Sequence, residues 1–225
     1  MIVLLNVETA TKNCSVSLSV DGTLVGMKEI AEENFSHAEK LHVFIEAILK
    51  ENGYSMQDLS AIAVSQGPGS YTGLRIGVSS VKGLCYGLNI PMIALDTLQI
   101  VAKQLQVENG WIIPMIDARR MEVFCAIFSH EGEMVKPIEA KVIDETSFSE
   151  LEGETPVYFL GDGAMKCVSV LTAANFHFCP TIVYPSAKEM VTLSYEKFQA
   201  KDFVDVAYFE PYYLKDFVMP VKKQK

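Results

Sequence analysis

Residues 65–77 read Ser-Gln-Gly-Pro-Gly-Ser-Tyr-Thr-Gly-Leu-Arg-Ile-Gly, between a strand-like segment, Ala61–Val64, and an apolar helical pattern that runs to about Leu88. A glycine-rich turn joining strand to helix commonly cradles phosphate, because its free backbone N–H groups point at an anion. This run does not match the known cradles. No Lys-Ser/Thr pair follows it, as a P-loop requires, and its glycine spacing is not that of the dinucleotide fingerprint. Instead, the glycines carry on into the helix. At about 100° per residue, Gly73, Gly77, Ser80 and Gly87 fall within an arc of roughly 80°. Glycine inside a helix costs about 1 kcal/mol relative to alanine, and small residues let another backbone approach closely. Val78, Val81, Leu84, Cys85 and Leu88 mark the rest of the helix as packed. Two readings stand level on sequence: the small face lies against the chain's own sheet, or it docks a helix of another subunit.

The rest of the first half parses around this run. Ile2–Val7, Cys14–Val20 and Thr23–Ile30 read as strands, the last two joined by Asp21-Gly22, a hairpin signal. Ser36-His-Ala-Glu39 reads as a capping box that opens a helix carrying Leu41, Phe44, Ile45, Ile48 and Leu49, with Asn52-Gly53 at its end. Met92–Leu95 and a helix capped by Asp96 complete a β-β-β-α-β-α-β-α unit.

The second half begins near Asn109-Gly110 and repeats the order loosely. Trp111–Asp117 and Glu122–Ser129 form a hairpin around Ala118-Arg119-Arg120, and a strand follows near Met134–Val142. Val157–Leu160 runs into Gly161-Asp162-Gly163, and Ser186-Ala-Lys-Glu189 reads as a second capping box opening a helix to about Lys201. The repeated order predicts a duplicated α/β fold with lobes over residues 1–108 and 109–225.

Composition narrows the function classes. With 49% hydrophobic and 21% charged residues, the chain of 225 residues is expected to be globular. No apolar run reaches the length of a membrane span. The sequence opens in a strand with no basic leader or cleavage site, and its five cysteines (14, 85, 125, 167 and 179) show no Cys-x-x-Cys spacing. A cytoplasmic protein with reduced, mostly buried thiols is therefore expected. The net charge of −9 argues against unaided nucleic-acid binding, and the only basic cluster is Lys222, Lys223 and Lys225.

Four motifs in order then carry a resemblance: Leu5-Asn-Val-Glu-Thr-Ala-Thr…Cys14-Ser-Val-Ser-Leu18, the 65–77 run, Asp117-Ala-Arg-Arg-Met-Glu-Val123, and Glu210-Pro-Tyr-Tyr-Leu214. Together they resemble the TsaB family, also called YeaZ, most densely over residues 2–120 and more loosely over 130–205. The resemblance implies the actin/Hsp70/sugar-kinase (ASKHA) superfold of two ribonuclease-H-like lobes. It also implies a part in forming threonylcarbamoyladenosine in tRNAs that read codons starting with A. In that pathway a synthase makes threonylcarbamoyl-AMP and the paralogue TsaD transfers the threonylcarbamoyl group. TsaB binds TsaD as a non-catalytic scaffold, and the ATPase TsaE joins the complex. tRNA would then be met only indirectly. The first two helices, about 36–52 and 72–88, are implied to contact TsaD and to support a homodimer. On this chain that face comprises Leu41, Phe44, Ile48, Gly73, Gly77, Ser80 and Gly87. Gly77→Leu is accordingly expected to weaken the complex and leave the monomer folded.

The residues also speak about catalysis. Aligning Ile90-Pro91 with the same step in TsaD puts Thr97 and Val101 where that family has its two metal-binding histidines, and neither side chain ligates as an imidazole does. His37 and His42 lie about 140° apart on a helix and do not converge; with His130 and His177 they read as structural or surface residues. By comparison with nucleotide-binding members of the superfold, Glu8 and Thr9 on the first hairpin turn (with Thr11 following), Asp117 on the second, and Gly161 and Gly163 in a turn resembling the adenosine-side turn are expected to be a vestigial nucleotide cleft. Active relatives place glycines after the aspartate, where this chain has Ala118-Arg119-Arg120, whose side chains are expected to crowd the cleft. No Gly-x-Ser-x-Gly elbow surrounds Ser65, Ser70 or Ser79, and no His-Glu-x-x-His occurs. The expectation is a pseudoenzyme that needs no cofactor. The competing reading is an active enzyme of the same fold, an ATP-dependent kinase-like protein or a metallopeptidase, built on Glu8, Asp117 and Asp162.

Overall fold

A computed structural model of the chain describes residues 1–32 and 37–215. Ser36 of the first capping box and Lys222, Lys223 and Lys225 lie outside the described residues. In chain order the elements are β1 (Val3–Glu8), β2 (Asn13–Val20), β3 (Thr23–Ala31), α1 (His37–Glu51), β4 (Ala61–Gly67), α2 (Tyr71–Leu88), β5 (Met92–Asp96) and α3 (Thr97–Ala102). β6 (Trp111–Asp117), β7 (Glu122–Ser129), β8 (Met134–Val142), β9 (Val157–Leu160), β10 (Phe176–Phe178) and α4 (Met190–Ala200) follow.

The strands make two five-stranded sheets, ordered β3-β2-β1-β4-β5 and β10-β9-β6-β7-β8. In each, the first three strands form an antiparallel meander, and the fourth and fifth add parallel to the first. The two sheets thus have the same topology, and the duplication inferred from element order is real at the level of strand pairing.

The first sheet is covered on both faces, which is why β1 and β4 are apolar almost throughout. On one face Val3, Leu5, Val7, Ile62 and Val64 meet Leu41, Ile45 and Ile48 of α1 and Val78 and Val81 of α2. On the other face Leu4, Ala63, Ile93 and Leu95 meet Met190 and Leu193 of α4. α3 lies between the sheets, where Leu98, Val101 and Ala102 pack on Ile112, Ile116 and Phe128.

The boundary at 108/109 falls between the two sheets, and α4, which lies beyond it, packs on β1, β5 and β2 of the first. Its lead-in is stitched to β2: Asn13 Nδ2 donates to Pro185 O at 3.0 Å, Ser17 Oγ to Ala187 O at 2.6 Å, and Ala187 N to Ser15 Oγ at 3.0 Å. The second capping box does not form. Ser186 Oγ donates to Glu29 Oε2 on β3 at 2.7 Å, and the helix starts only at Met190. Similarly, Asp96 stands at the N-cap of α3, but its carboxylate accepts from Gln66 Nε2 at 2.7 Å instead of capping the helix.

Candidate functional site: the first hairpin turn and the outer face of α2

The turn between β1 and β2 is gripped by both long helices. Thr9 Oγ1 donates to Gly73 O at 2.8 Å, Ser70 N donates to Ala10 O at 2.6 Å, and His37 Nε2, at the start of α1, lies 2.7 Å from Thr11 O. That carbonyl can only accept, so Nε2 carries the proton, and burial lowers the His37 pKa. The glycines of the opening run make this docking possible. A Cβ on Gly73 would meet the Thr9 carbonyl, and one on Gly77 the Thr9 hydroxyl, both well inside 3.0 Å. Half of the small face therefore lies against the chain's own hairpin turn.

The other half does not. A Cβ on Gly83 or Gly87 would meet nothing within 4 Å. Ser80 is half-buried and its Oγ sits 3.2 Å from His42 Nε2 of α1. Thr72, Ser79, Gly83, Tyr86 and Gly87 are exposed, Tyr86 at 85%, and on α1 Val43 is 59% exposed. The small-residue arc thus straddles the edge between the packed and the open sides of α2.

The expected partner face divides along this edge. Leu41 and Ile48 are core residues with at most 1% exposure, Phe44 packs on the same core, and Gly73 and Gly77 are buried against Thr9. Of the expected set, Ser80 and Gly87 remain at the surface. Gly83 and Val43 join them; Gly83 lies roughly 80° from Gly73 around the helix and so fell outside the arc. Gly77→Leu can no longer be expected to leave the monomer intact.

The cleft residues are arranged as follows. Glu8 is fully buried, and its Oε1 accepts from Ala10 N at 2.6 Å. Burial pushes its pKa from 4.5 up to about 7 against the pull of that hydrogen bond. On the second hairpin, the Asp117 carboxylate pairs with Lys166 and accepts from Arg119 N at 2.9 Å. Asp117 N in turn donates to Asp162 Oδ1 at 2.9 Å. Burial raises the Asp162 pKa, and Lys12, on the first hairpin, is close enough to lower it. The two turns therefore do approach one another. Arg119 and Arg120 take φ of 73° and 52°, the left-handed region that glycine would occupy without cost. Both arginines are exposed. Gly161 packs on Met115 O and Gly163 on the Asp117 amide, so both serve the packing of β6 against the turn that follows β9.

These residues do not fit a magnesium nucleotide. The Glu8 carboxyl is fully buried, with Oε1 on the Ala10 amide and no hydrogen-bond partner for Oε2 among the described residues, and the half-exposed Asp117 carboxylate pairs with Lys166 and accepts from Arg119 N. Thr97 and Val101 are both fully buried in the layer between the sheets. Among the described residues, no three His, Cys, Asp or Glu side chains are grouped to hold a metal ion. Cys14, Cys85, Cys125 and Cys167 are buried and Cys179 partly so, all as free thiols. Among the described residues, no helix is long and apolar enough to cross a membrane.

Comparison with known proteins gives this geometry its context. The profile of a family described as "TsaD: tRNA N6-adenosine threonylcarbamoyltransferase" matches residues 29–219. The tRNA threonylcarbamoyladenosine biosynthesis protein TsaB of Escherichia coli is 30% identical over 228 residues, covering 96% of this chain and 95% of the relative. The solved structure of YeaZ from Pseudomonas aeruginosa superposes with a TM-score of 0.81 at 25% identity, covering 95% of this chain and all of that one. Component A of (R)-2-hydroxyglutaryl-CoA dehydratase from Acidaminococcus fermentans, 10% identical, shares the fold at a TM-score of 0.52 over 88% of this chain. The fold is the ASKHA superfold of two ribonuclease-H-like lobes, and the chain belongs to the TsaB (YeaZ) family of tRNA threonylcarbamoyladenosine biosynthesis proteins.

Proposed function

We propose that the chain is a non-catalytic scaffold that binds and activates a TsaD-like transferase in the formation of threonylcarbamoyladenosine in tRNAs that read codons starting with A. The observation that carries this reading is the open side of α2. Gly83 and Gly87 there have no neighbour that a side chain would meet, and half-buried Ser80 lies on the same helix. Glycines on an exposed helix face lower its stability by about 1 kcal/mol each, and close approach of a partner helix supplies a reason for them. The net charge of −9 supports a role in which tRNA is met through the partner rather than directly. A TsaE-like ATPase would join through the same complex, and a second copy of this chain could use the same face in the partner's absence.

The test is co-elution with a purified TsaD-like transferase at micromolar concentration. Wild type is expected to co-elute and Gly83→Arg to run alone with a Tm no lower than that of wild type. Separate elution of two folded wild-type proteins would end the scaffold reading.

The competing enzyme reading rests on Glu8, Asp117 and Asp162. Titration of Mg-ATP into the purified chain is expected to release no binding heat. A saturable heat at one nucleotide per chain, lost in Asp117→Asn, would restore it.

A further inference from the structure

Two of the four family motifs, at 65–77 and 210–214, have Arg75 and Tyr213 separated by 138 residues, and the fold joins them on the outer side of α2. After α4 the chain returns over the first lobe as a strap. Val204 bridges to Met92, and Lys82 Nζ donates to the carbonyls of Ala207 at 3.1 Å and Phe209 at 2.8 Å. Tyr212 N donates to Gln66 O at 2.7 Å. Tyr213 then packs on Tyr71 with ring centroids 4.9 Å apart. Arg75 lies 4.1 Å over the Tyr71 ring, and its Nε donates to the Tyr213 hydroxyl at 3.3 Å.

Between strap and helix runs a groove of about 420 Å³, lined by Arg75, Ser79 and Lys82 on α2 and by Phe209, Glu210 and Pro211 on the strap. Its two cations are not ion-paired. In a chain with nine surplus acidic groups, neither Arg75 nor Lys82 has a carboxylate within 4.0 Å among the described residues, and that includes Glu210 in the same groove. Lys82 is held by backbone carbonyls, which fix its ammonium without cancelling its charge. Arg75 spends one of its five N–H donors on Tyr213 while its guanidinium carbon stands over the Tyr71 ring. Its remaining donors match a carboxylate.

We propose that this groove seats an acidic side chain, Asp or Glu, of the protein partner that docks along α2. The inference rests on the scaffold reading above. The groove opens beside Ser79, which also borders the exposed side of α2 that carries Gly83, so one partner segment can cover both. Val78, Phe209 and Pro211 supply apolar walls for the stem of the side chain.

Calorimetric titration with the TsaD-like transferase at low and high salt tests this on wild type, Arg75→Met, Arg75→Lys and Gly83→Arg, each checked for a Tm no lower than that of wild type. Arg75→Met is expected to weaken Kd by about 10-fold or more, the size of a charge-assisted hydrogen bond, and to flatten its salt dependence. Arg75→Lys should fall in between. If wild type binds, Gly83→Arg abolishes binding and Arg75→Met matches wild type, the groove inference fails while the scaffold reading stands. Weakening with an unchanged salt slope would assign Arg75 to holding the strap and overturn the inference too. If wild type does not bind, both fall. A saturable heat from inorganic phosphate alone, abolished in Arg75→Met, would reassign the groove to small anions.

Discussion

Gly73→Ala is expected to destabilise the folded chain by about 3 kcal/mol or more, the upper range for overpacking a site that cannot relax cheaply. For a domain of this size that is a fall in Tm of about 6–12 °C. The added methyl would stand against the Thr9 backbone carbonyl, and Thr9 is itself tied to Gly73 O by a buried hydrogen bond of 2.8 Å. To make room, either the hairpin turn or the first turn of α2 must shift, and His37 and Ser70 hold that turn from two other directions. Gly83→Ala should do the opposite. Nothing lies within 4 Å of its Cβ position, and alanine favours the helix over glycine by about 0.5–1 kcal/mol. Thermal unfolding followed by circular dichroism separates the two. If both substitutions changed Tm alike, the division of the stripe into a packed and an open half would be wrong.

The second large effect concerns pH. The folded-state pKa of Glu8 is about 7 against 4.5 for the free side chain, with burial as the main cause. Between those values the folded chain holds a proton that the unfolded chain releases, so stability falls as pH rises through this window. The contribution is fully present below about pH 4.5 and lost above about pH 7. Its size is about 3 kcal/mol at 1.36 kcal/mol per unit. Glu8→Gln keeps an oxygen for the Ala10 amide and carries no charge. It should match wild type near pH 5, exceed its stability at pH 8, and remove that part of the slope. Denaturant titrations of both chains across pH 5–8 measure the difference. Parallel pH profiles would mean that the carboxyl is charged in the fold, and with it that the cleft is open to solvent.

The strands of the second lobe were legible because their ends coincide with turn chemistry. Trp111–Asp117, Glu122–Ser129, Met134–Val142 and Val157–Leu160 stand where alternation and the flanking Gly, Asp and Arg turns put them. β10 was not legible: a three-residue edge strand, Phe-His-Phe, carries too short a pattern to separate from loop. Ser186 misled for a different reason. Its hydroxyl donates to Glu29, 157 residues away, while its oxygen accepts from Lys188 N, and the helix itself starts only at Met190. The site followed the same logic. The small arc on α2 was visible in the sequence, yet its division into buried and open halves depends on where Thr9 sits, and no periodicity encodes that. The groove that holds Arg75 and Lys82 was equally hidden until the strap came to lie beside them.

The most direct measurement of the proposed role is reconstituted modification of a tRNA transcript. The mixture would hold the synthase, a TsaD-like transferase and a TsaE-like ATPase, with and without this chain. The account predicts that threonylcarbamoyladenosine forms only when the chain is present. It also predicts that a chain carrying both Glu8→Gln and Asp117→Asn supports the wild-type rate, while Gly83→Arg gives the rate of the mixture without the chain. A Glu8→Gln/Asp117→Asn chain that still co-elutes with the transferase yet gives only the chainless rate would contradict it.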